Sequence, residues 1–255
     1  MPVISFYNQK GGTGKSTLCC ETAFLLSKSK KVLLIDLDAQ CNSTTLLCGD
    51  IPDKGIYDLL VDEDNDCEFH QYLTAGQNEW SKVVVLASSK RLDTSLPILQ
   101  NRMNRDYVLK SIVDQFLKYF DYILIDYPPK LDLLTINGLA ASDGYILVQQ
   151  PEEWSIEGAK TIHSLAEKVK KNLNPKLECF GVLINLVKKM NSIFVRSMIQ
   201  DIEQEWNDKV FKARIMDSVK VGEAKKLKQP VVVYSPDHKV AGQFKGFVKE
   251  LSKLV

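Results

Sequence analysis

The chain has 255 residues, of which 45% are hydrophobic and 25% are charged, and its formal net charge at pH 7 is +1. This composition is ordinary for a folded globular protein and excludes disordered and collagen-like chains. No apolar run approaches the roughly 20 residues that span a bilayer, and residues 1–9 lack a basic region and a cleavage site, so we expect a cytoplasmic protein.

Short runs rich in valine, isoleucine and leucine alternate with longer segments of helical period. This order favours βαβ units and predicts an α/β fold with a doubly wound, mainly parallel sheet and helices on both faces. No flexible linker divides the chain, so we expect a single domain over residues 1–255. The predicted elements are, in chain order, strand Val3–Tyr7, helix Ser16–Lys28, strand Val32–Asp36, strand Val83–Leu86, helix Tyr107–Lys118, strand Tyr122–Asp126, helix Leu131–Ala141, strand Tyr145–Gln149, helix Ile156–Asn172, strand Phe180–Asn185, helix Ser192–Trp206 and helix Val240–Leu254.

Residues 50–80 lie between two of these elements and are acidic and weakly patterned. The run Asp62–Asp66 indicates a loop. We expect the whole segment to be a solvated excursion, and we assign it no function.

The turn after the first predicted strand has the sequence KGGTGKST at Lys10–Thr17. Its glycines permit backbone torsions and close approaches that side chains would block, so successive N–H groups can turn inward around a phosphate. The helix that begins at Ser16 adds the positive end of its dipole. A glycine-rich loop of this kind at a strand-to-helix junction predicts a P-loop.

Side chains of and near this loop suit the chemistry of a nucleotide. Lys15 supplies a point charge for the β- and γ-phosphates, the Ser16 hydroxyl is suited to Mg²⁺, and Thr17 can bond near the α-phosphate. Asp126 ends an apolar strand, a position from which a carboxylate holds Mg²⁺ through its water ligands. The chain is therefore predicted to be an ATP hydrolase that uses ATP and Mg²⁺. The predicted nucleotide-binding residues of the loop are Gly11, Gly12, Thr13, Gly14, Lys15, Ser16 and Thr17, and the predicted metal-binding residues are Ser16 and Asp126.

The loop departs from the standard P-loop pattern, because Gln9 and not glycine stands five residues before Gly14. Its KGGxGK[ST] form, with the additional Lys10, resembles the deviant Walker A motif of the ParA/Soj/MinD family of partitioning and positioning ATPases. The resemblance covers essentially the whole chain. Further matching segments are DLDAQCNST at Asp36–Thr44, similar to the family's DxDPQGN[AS]T switch segment, DYPP at Asp126–Pro129, similar to its DxPP, and Gln150–Gly158, similar to its QPE…ALEG stretch.

The resemblance implies a mechanism. Asp38 follows a buried strand closely enough to face the γ-phosphate, and it matches the family's aspartate that orients or activates the attacking water. Lys10 matches a lysine that crosses a dimer interface, so that two monomers sandwich two ATP molecules and each lysine adds positive charge to the partner's phosphates. ATP binding then joins the two monomers, and hydrolysis of ATP releases the dimer. The predicted catalytic residues are Lys10, Lys15 and Asp38.

Several positions differ from the family pattern. Ala39 replaces the usual proline and Cys41 the usual glycine, which removes no catalytic group but alters the stiffness of the loop. Asn185 matches a position beside the adenine, and Ile215–Ser218 replaces the family's Ile-Pro-Arg-Asn, so we assign adenine contacts to Asn185 and Met216. The six cysteines show no CxxC pair and no histidine at metal-ligand spacing, which argues against zinc and disulfides.

Basic side chains are concentrated in the C-terminal part of the chain. Residues 1–159 carry 14 basic and 22 acidic side chains, whereas residues 160–255 carry 19 basic and 10 acidic ones. This asymmetry predicts a polyanion partner, with a solvated lysine-rich surface as the alternative. Lys220 matches a basic position that Soj-like members use for DNA. At a second such position those members have an arginine, whereas this chain has Met190. The predicted DNA-binding residues are Lys188, Lys189, Arg196, Lys220, Lys225, Lys226 and Lys228.

Together these features predict an ATP-dependent dimerising ATPase of a plasmid or chromosome partition system. It is expected to bind DNA without sequence preference in the ATP dimer and to be released by hydrolysis, and so to be associated with the nucleoid. A centromere-binding, ParB-like partner is expected to stimulate hydrolysis. We expect no direct operator recognition, because the first strand starts at Val3 and leaves no room for a helix-turn-helix before it.

The alternative is a MinD-like, membrane-associated positioning ATPase, which needs a C-terminal amphipathic anchor. An apolar stripe with lysines opposite does lie in the last predicted helix, although such a stripe more often packs in a core. A third class, an ATP-dependent enzyme that modifies a small molecule, as in dethiobiotin synthetase-like relatives, is not favoured, because Asp38, Gln40 and Asn42 follow the partition pattern. The stripe consists of Phe244, Phe247, Val248, Leu251, Leu254 and Val255.

Overall fold

The computed structural model describes residues 1–62, 68–153, 155–188 and 192–255. Its strands are β1 (Val3–Tyr7), β2 (Val32–Asp36), β3 (Leu73–Ala75), β4 (Val83–Leu86), β5 (Tyr122–Asp126), β6 (Gly144–Gln149), β7 (Glu178–Val187) and β8 (Val210–Met216). They form one sheet in the order β3-β4-β2-β5-β1-β6-β7-β8. Neighbouring strands are parallel, except that β3 pairs with β4 in the antiparallel sense. The predicted α/β fold with a mainly parallel sheet is confirmed.

The helices cover both faces of this sheet, because parallel strands must be buried on two sides. They are α1 (Lys15–Ser27), α2 (Asn42–Cys48), α3 (Ile56–Val61), α4 (Ser95–Gln100), α5 (Val108–Phe116), α6 (Leu133–Ala141), α7 (Ser155–Asn172), α8 (Ile193–Trp206), α9 (Val219–Lys226), α10 (Val231–Tyr234) and α11 (Lys239–Leu251). Apolar side chains of α3 to α8 form the core on one face. Those of α1, α2 and α9 to α11 form the core on the other.

This packing contradicts an expectation about solvent exposure. The expectation that residues 50–80 are a solvated excursion is wrong for residues 50–62 and 68–80, because α3 inserts Ile56, Leu59 and Leu60 into the core and Trp80 is 1% exposed. Residues 63–67, within the predicted acidic loop, lie outside the described residues.

The part of the C-terminal stripe that lies in α11 is core packing and not a free amphipathic face, whereas Leu254, beyond the end of this helix, is 57% exposed. Phe244, Phe247, Val248 and Leu251 of α11 are all buried against the sheet and α1. A membrane anchor made of these side chains would require α11 to leave the domain core. Among the described segments, we find no helix that combines the length and the apolar character needed to cross a bilayer.

A buried carboxylate connects the first helix to the C-terminal part of the chain. Glu21 of α1 is 3% exposed, and its Oε1 accepts a hydrogen bond of 2.6 Å from the backbone N–H of Val231 at the start of α10. Its Oε2 is buried and has no hydrogen-bond partner among the described residues. Burial raises the pKa of Glu21 to about 8, against the opposing effect of the α10 N–H groups.

Glu21 should therefore make the stability of the protein depend on pH. Because the folded-state pKa lies above the usual value of 4.5, its contribution is fully present below that value and is lost as the pH rises through about 8. We expect the nucleotide-free wild type to lose stability, on the order of 3 kcal/mol, between pH 5 and pH 9 relative to Glu21→Gln. Thermal melts of both proteins across this range measure the difference.

The exposed Glu167 of α7 provides the matched control, since Glu167→Gln removes a carboxylate that water already solvates. Its melting curves should follow those of the wild type at each pH. Other buried groups that titrate in this range are common to all three proteins and cancel in the comparison. Parallel profiles for wild type and Glu21→Gln would show that Glu21 stays ionised when buried.

Candidate nucleotide site

The loop between β1 and α1 opens a cleft of about 420 Å³ at the carboxyl ends of the central strands. Gly12 and Gly14 have positive φ angles of 77° and 82°, in the left-handed region that glycine adopts without strain. A Cβ atom on Gly14 would lie 2.5 Å from Nδ2 of Asn185, so a side chain there would collide with a buried neighbour. The cleft is lined by Gly11, Gly12, Thr13, Gly14, Lys15, Ser16, Thr17, Asp38, Gln40, Asn42, Tyr127, Pro129, Leu186 and Lys225.

Gly14 is also the residue from which α1 starts, and this helix runs for 13 residues away from the cleft. Its first N–H groups and the positive end of its dipole therefore face the space that the loop encloses. This arrangement suits a phosphate group. The structure thus brings Gly11–Thr17 together at one cleft whose geometry suits an anion.

Lys15 places its ammonium group at the bottom of this cleft. The residue is 6% exposed, and its Nζ lies 3.2 Å from the carbonyl oxygen of Lys10. Burial lowers the pKa of Lys15, while the nearby Asp126 and Asp38 act in the opposite direction. A largely dehydrated cation with one long hydrogen bond is well prepared to bind an anion.

Asp36 and Asp126 lie opposite each other in the register of β2 and β5, and both are fully buried. Burial, followed by the charge of Asp126, raises the pKa of Asp36 to about 7. Burial also raises the pKa of Asp126, although the hydroxyls of Ser16 and Ser43 and the charge of Lys15 lower it. Asp126 accepts a hydrogen bond of 2.7 Å from Ser43 at Oδ2, whereas its Oδ1 has no partner in the described part of the chain.

These groups fit Mg²⁺. The described residues contain no cluster of three or more histidine, cysteine and acidic side chains that could hold a metal. Magnesium in nucleotide sites needs none, because it takes one or two protein oxygens and completes its shell with water and phosphate oxygens. Ser16 and the unpaired Oδ1 of Asp126 are oxygen donors of this kind, beside the cleft.

Asp36, to which the sequence analysis gave no separate role, organises the segment that follows β2. Its carboxylate accepts hydrogen bonds from the N–H groups of Asp38 and Thr44, at 3.0 and 2.9 Å, and from the Thr44 hydroxyl at 2.8 Å. The Thr44 hydroxyl in turn accepts from the N–H of Ser88. Asp36 therefore fixes the backbone of the segment that carries Asp38.

Asp38 lies on the cleft wall with 8% of its surface exposed. Its Oδ1 accepts a hydrogen bond of 2.9 Å from the N–H of Gln40, which fixes the carboxylate at the edge of the cavity. Cys41, where the family has glycine, takes a left-handed conformation with a φ of 55°. The loop thus keeps the backbone shape that favours glycine, at a cost of about 1 kcal/mol or more.

Lys10 points away from the cleft that Lys15 occupies. Its side chain is 60% exposed, and its Nζ lies 2.5 Å from Oε2 of Glu152. Lys188 approaches the other oxygen of Glu152 at 4.0 Å. Asn8 fixes the backbone before the loop, because its Oδ1 accepts a hydrogen bond of 2.7 Å from the N–H of Lys10. The two loop lysines therefore face different surroundings.

The two predicted adenine residues lie on neighbouring strands, but their surroundings differ. Asn185 is 3% exposed and donates from Nδ2 to the carbonyl oxygen of Thr13 at 2.7 Å, while its Oδ1 is buried without a partner among the described residues. Met216 ends β8, and its backbone N–H donates to Gln243. The residue of this region that lines the cleft is Leu186, which the sequence analysis did not name.

The predicted DNA-binding side chains have varied partners. Lys220 forms an ion pair of 2.8 Å with Glu223. Lys228 donates to the carbonyl oxygen of Gly49 at 2.9 Å, and its own carbonyl accepts from the indole of Trp80. Lys225 lies on the nucleotide cleft, and its neighbour Lys226 is exposed at the end of α9. Arg196 belongs to α8, Lys188 contacts Glu152, and Lys189 lies outside the described residues.

Comparison with known proteins relates this site to other chains. A family model described as an AAA domain matches residues 1–179. The sporulation initiation inhibitor protein Soj of Bacillus subtilis is 30% identical over 253 residues, which cover 98% of this chain and 98% of that protein. The chromosome partitioning protein ParA of Caulobacter vibrioides is 32% identical over 245 residues, which cover 94% and 89%.

The fold has solved counterparts as well. The crystal structure of cobyrinic acid a,c-diamide synthase from Mycobacterium smegmatis, with bound ATP analogue and magnesium, is similar to this fold, with a TM-score of 0.82 at 26% identity. The alignment covers 99% of this chain and 95% of that one. The likeness thus extends over the whole sheet and includes the strands that surround the cleft.

Proposed function

Because the chain belongs to the ParA/Soj group of P-loop ATPases within the AAA-domain family, we propose that it is the ATP-switched component of a DNA partition system, for a plasmid or a chromosome. The chain is an ATPase that uses ATP and Mg²⁺. We propose further that residues 1–255 act as one domain, that ATP joins two copies, and that the dimer binds DNA without sequence preference on the nucleoid. A ParB-like partner would stimulate hydrolysis.

The observation that carries this proposal is the separation of Lys10 from Lys15. Lys15 is buried at the chain's own phosphate cleft, whereas the Lys10 ammonium lies outside it, exposed beside Glu152. A lysine so placed adds nothing to its own site but can reach a nucleotide held by a second copy. In the dimer it would supply charge to the partner's phosphates, as an arginine finger does.

The charged and hydroxyl-bearing residues at the loop and at the ends of β2 and β5 then have proposed roles in hydrolysis. Lys15 and the N-terminus of α1 bind the phosphates and stabilise the charge that develops on them. Asp38, held at the cavity edge by its bond to Gln40, orients the attacking water. Ser16 and Asp126 would hold Mg²⁺, which neutralises phosphate charge when bound.

Replacing Lys10 by alanine tests the cross-dimer role. We expect Lys10→Ala to bind ATP within about twofold of the wild type, because the removed ammonium does not line the cleft. Dimerisation and turnover should fall by at least tenfold, since each active site loses a cation supplied in trans. Titration calorimetry, light scattering and phosphate release measure the three quantities.

Glu152→Gln is the matched control for that experiment. It breaks the same ion pair but leaves Lys10 in place. If the effect of Lys10→Ala arose from the lost pair within one chain, Glu152→Gln would reproduce it. Normal turnover by Lys10→Ala would refute the role in trans.

DNA binding is proposed from the basic C-terminal part, where Lys220, Lys225 and Lys226 share helix α9. Binding through phosphates should require ATP, be equal for duplexes of unrelated sequence and weaken steeply with salt. Fluorescence anisotropy with two such duplexes, with and without ATP, checks this. Sequence preference, or equal affinity without ATP, would contradict the proposal.

Flotation with anionic vesicles in the same buffer tests the MinD-like alternative. We expect no ATP-dependent lipid binding, because the four stripe residues that belong to α11 are buried in the core. ATP-dependent flotation without DNA binding would favour a membrane-positioning ATPase instead.

A further inference from the structure

One lysine of helix α9 lies on the wall of the nucleotide cleft. Lys225 lines this cleft together with P-loop residues such as Ser16 and Thr17. Among the residues that the structure describes, its ammonium group has no hydrogen bond or ion pair, whereas Lys220 of the same helix is paired with Glu223 at 2.8 Å. An unpaired cation beside a phosphate-binding loop is placed to bind the ligand of that loop.

Contacts on both sides of Lys225 fix its backbone beside helix α1. The preceding residue, Ala224, is buried in the core that α1 forms with α9 to α11. The carbonyl oxygen of Lys228 accepts a hydrogen bond of 2.8 Å from the indole of Trp80, and the Trp80 ring packs edge-to-face on Phe24 of α1. A ligand in the cleft would therefore have to order only the Lys225 side chain and not the helix that carries it.

The order of the strands indicates which phosphate this lysine meets. Strands β2 and β5 lie on one side of β1, and β7 and β8 lie on the other. Asp38, which follows β2 and is proposed to orient the attacking water at the γ-phosphate, marks one end of the cleft. Lys225, in the helix that follows β8, marks the opposite end. A triphosphate bound along the loop between them therefore has its α-phosphate on the Lys225 side.

We infer that Lys225 is a nucleotide-binding residue whose ammonium group pairs with the α-phosphate of ATP or ADP. In P-loop sites Mg²⁺ bridges oxygens of the β- and γ-phosphates, so the α-phosphate is the one that the metal neutralises least. Lys15 serves the same two phosphates as the metal. A second cation at the α-phosphate end also offsets the negative charge of the nearby Asp38 and Asp126. The inference rests on the proposed assignment of this cleft to ATP, and it moves Lys225 from the proposed DNA surface to the nucleotide site.

The test compares two nucleotides on three variants without DNA. Lys225→Gln removes the charge, Lys225→Arg keeps it, and Lys249→Gln removes an exposed charge from α11, away from the cleft lining. Calorimetry gives the Kd of Mg-ATP and of Mg-ADP, which both contain the α-phosphate. Lys225→Gln should bind both nucleotides about five- to tenfold more weakly, with a difference from the wild type that shrinks as salt is added. Lys225→Arg and Lys249→Gln should stay within about twofold of the wild type.

Unchanged affinity of Lys225→Gln for both nucleotides would overturn the inference, and weaker DNA binding by that variant at saturating ATP would then return Lys225 to the DNA surface. Weaker binding of ATP alone would overturn it as well, because the partner would then be the γ-phosphate. An equal loss in Lys225→Arg would show that the residue supports α9 and does not supply charge. Failure of the wild type to bind either nucleotide would instead refute the assignment of the cleft to ATP.

Discussion

Asp38→Ala is expected to bind ATP with nearly wild-type affinity, to accumulate as an ATP-bound dimer and to lose at least 100-fold in turnover. The substitution removes the carboxylate that we propose orients the attacking water, a role usually worth between 10²- and 10⁴-fold, and it leaves Lys15 and the N-terminus of α1 in place. Phosphate release measures turnover, and light scattering with ATP measures the mass of the complex. A protein that stays monomeric with ATP would contradict the prediction.

Two further variants separate chemistry from loop structure. Asp38→Asn keeps an oxygen that can accept the 2.9 Å hydrogen bond from the N–H of Gln40, but it cannot take a proton. Asp38→Asn should therefore be as inactive as Asp38→Ala, although its loop keeps the hydrogen bond that Asp38→Ala loses. Asp53→Ala, at an exposed position, should leave turnover unchanged. Near-normal turnover by Asp38→Asn would show that Asp38 acts through loop geometry alone.

The central strands of the sheet were predictable because burial on both faces leaves a simple signal. β1, β2, β4 and β5 have the predicted bounds, and each is a short, fully or largely buried run in which apolar residues predominate. The strands at the two ends of the sheet were missed. β3 has three residues and lies at an edge, and β8 alternates core residues such as Phe211 and Ile215 with Lys212 and Arg214, so neither shows a continuous apolar run.

The short helix α3 escaped prediction for a related reason. Helix α3 has six residues, fewer than two turns, so its apolar residues show no clear helical period. Its formation depends on contacts elsewhere in the chain. The N–H of Ile56 donates to Ala87, and the side chain of Ile56 is fully buried. Tertiary packing here overrides an acidic composition.

The candidate site was predictable where its chemistry is local in the chain. The loop residues that line the cleft, Gly11–Thr17, are consecutive in the chain, so the motif alone predicts that they lie together. The contacts of Asn185 with Thr13 and of Glu21 with Val231 join residues far apart in the chain. No local pattern indicates such pairs, and none marked Leu186, whose position depends on a register shift between β7 and β8.

Lys15→Ala is expected to abolish measurable ATP binding, with a loss of at least 100-fold in affinity. Lys15 is the buried ammonium of the cleft, and truncating one partner of a buried, hydrogen-bonded charge pair costs roughly 2–5 kcal/mol. The loss of ATP affinity should exceed the loss that follows from removing any single neutral hydrogen bond, because the phosphates would then lie near Asp38 and Asp126 with less compensating positive charge. Calorimetry with Mg-ATP measures it.

The same substitution should also change the nucleotide-free protein. Lys15 lowers the pKa of Asp126, so its removal leaves the Asp36–Asp126 pair with less opposing charge and favours a protonated pair. Near-UV circular dichroism establishes that the variant is folded before binding is compared. Lys30→Ala, at an exposed lysine just after α1, provides the control and should bind ATP like the wild type. ATP affinity of folded Lys15→Ala within tenfold of the wild type would mean that the backbone N–H groups and the α1 dipole, and not the buried ammonium, supply most of the attraction for phosphate.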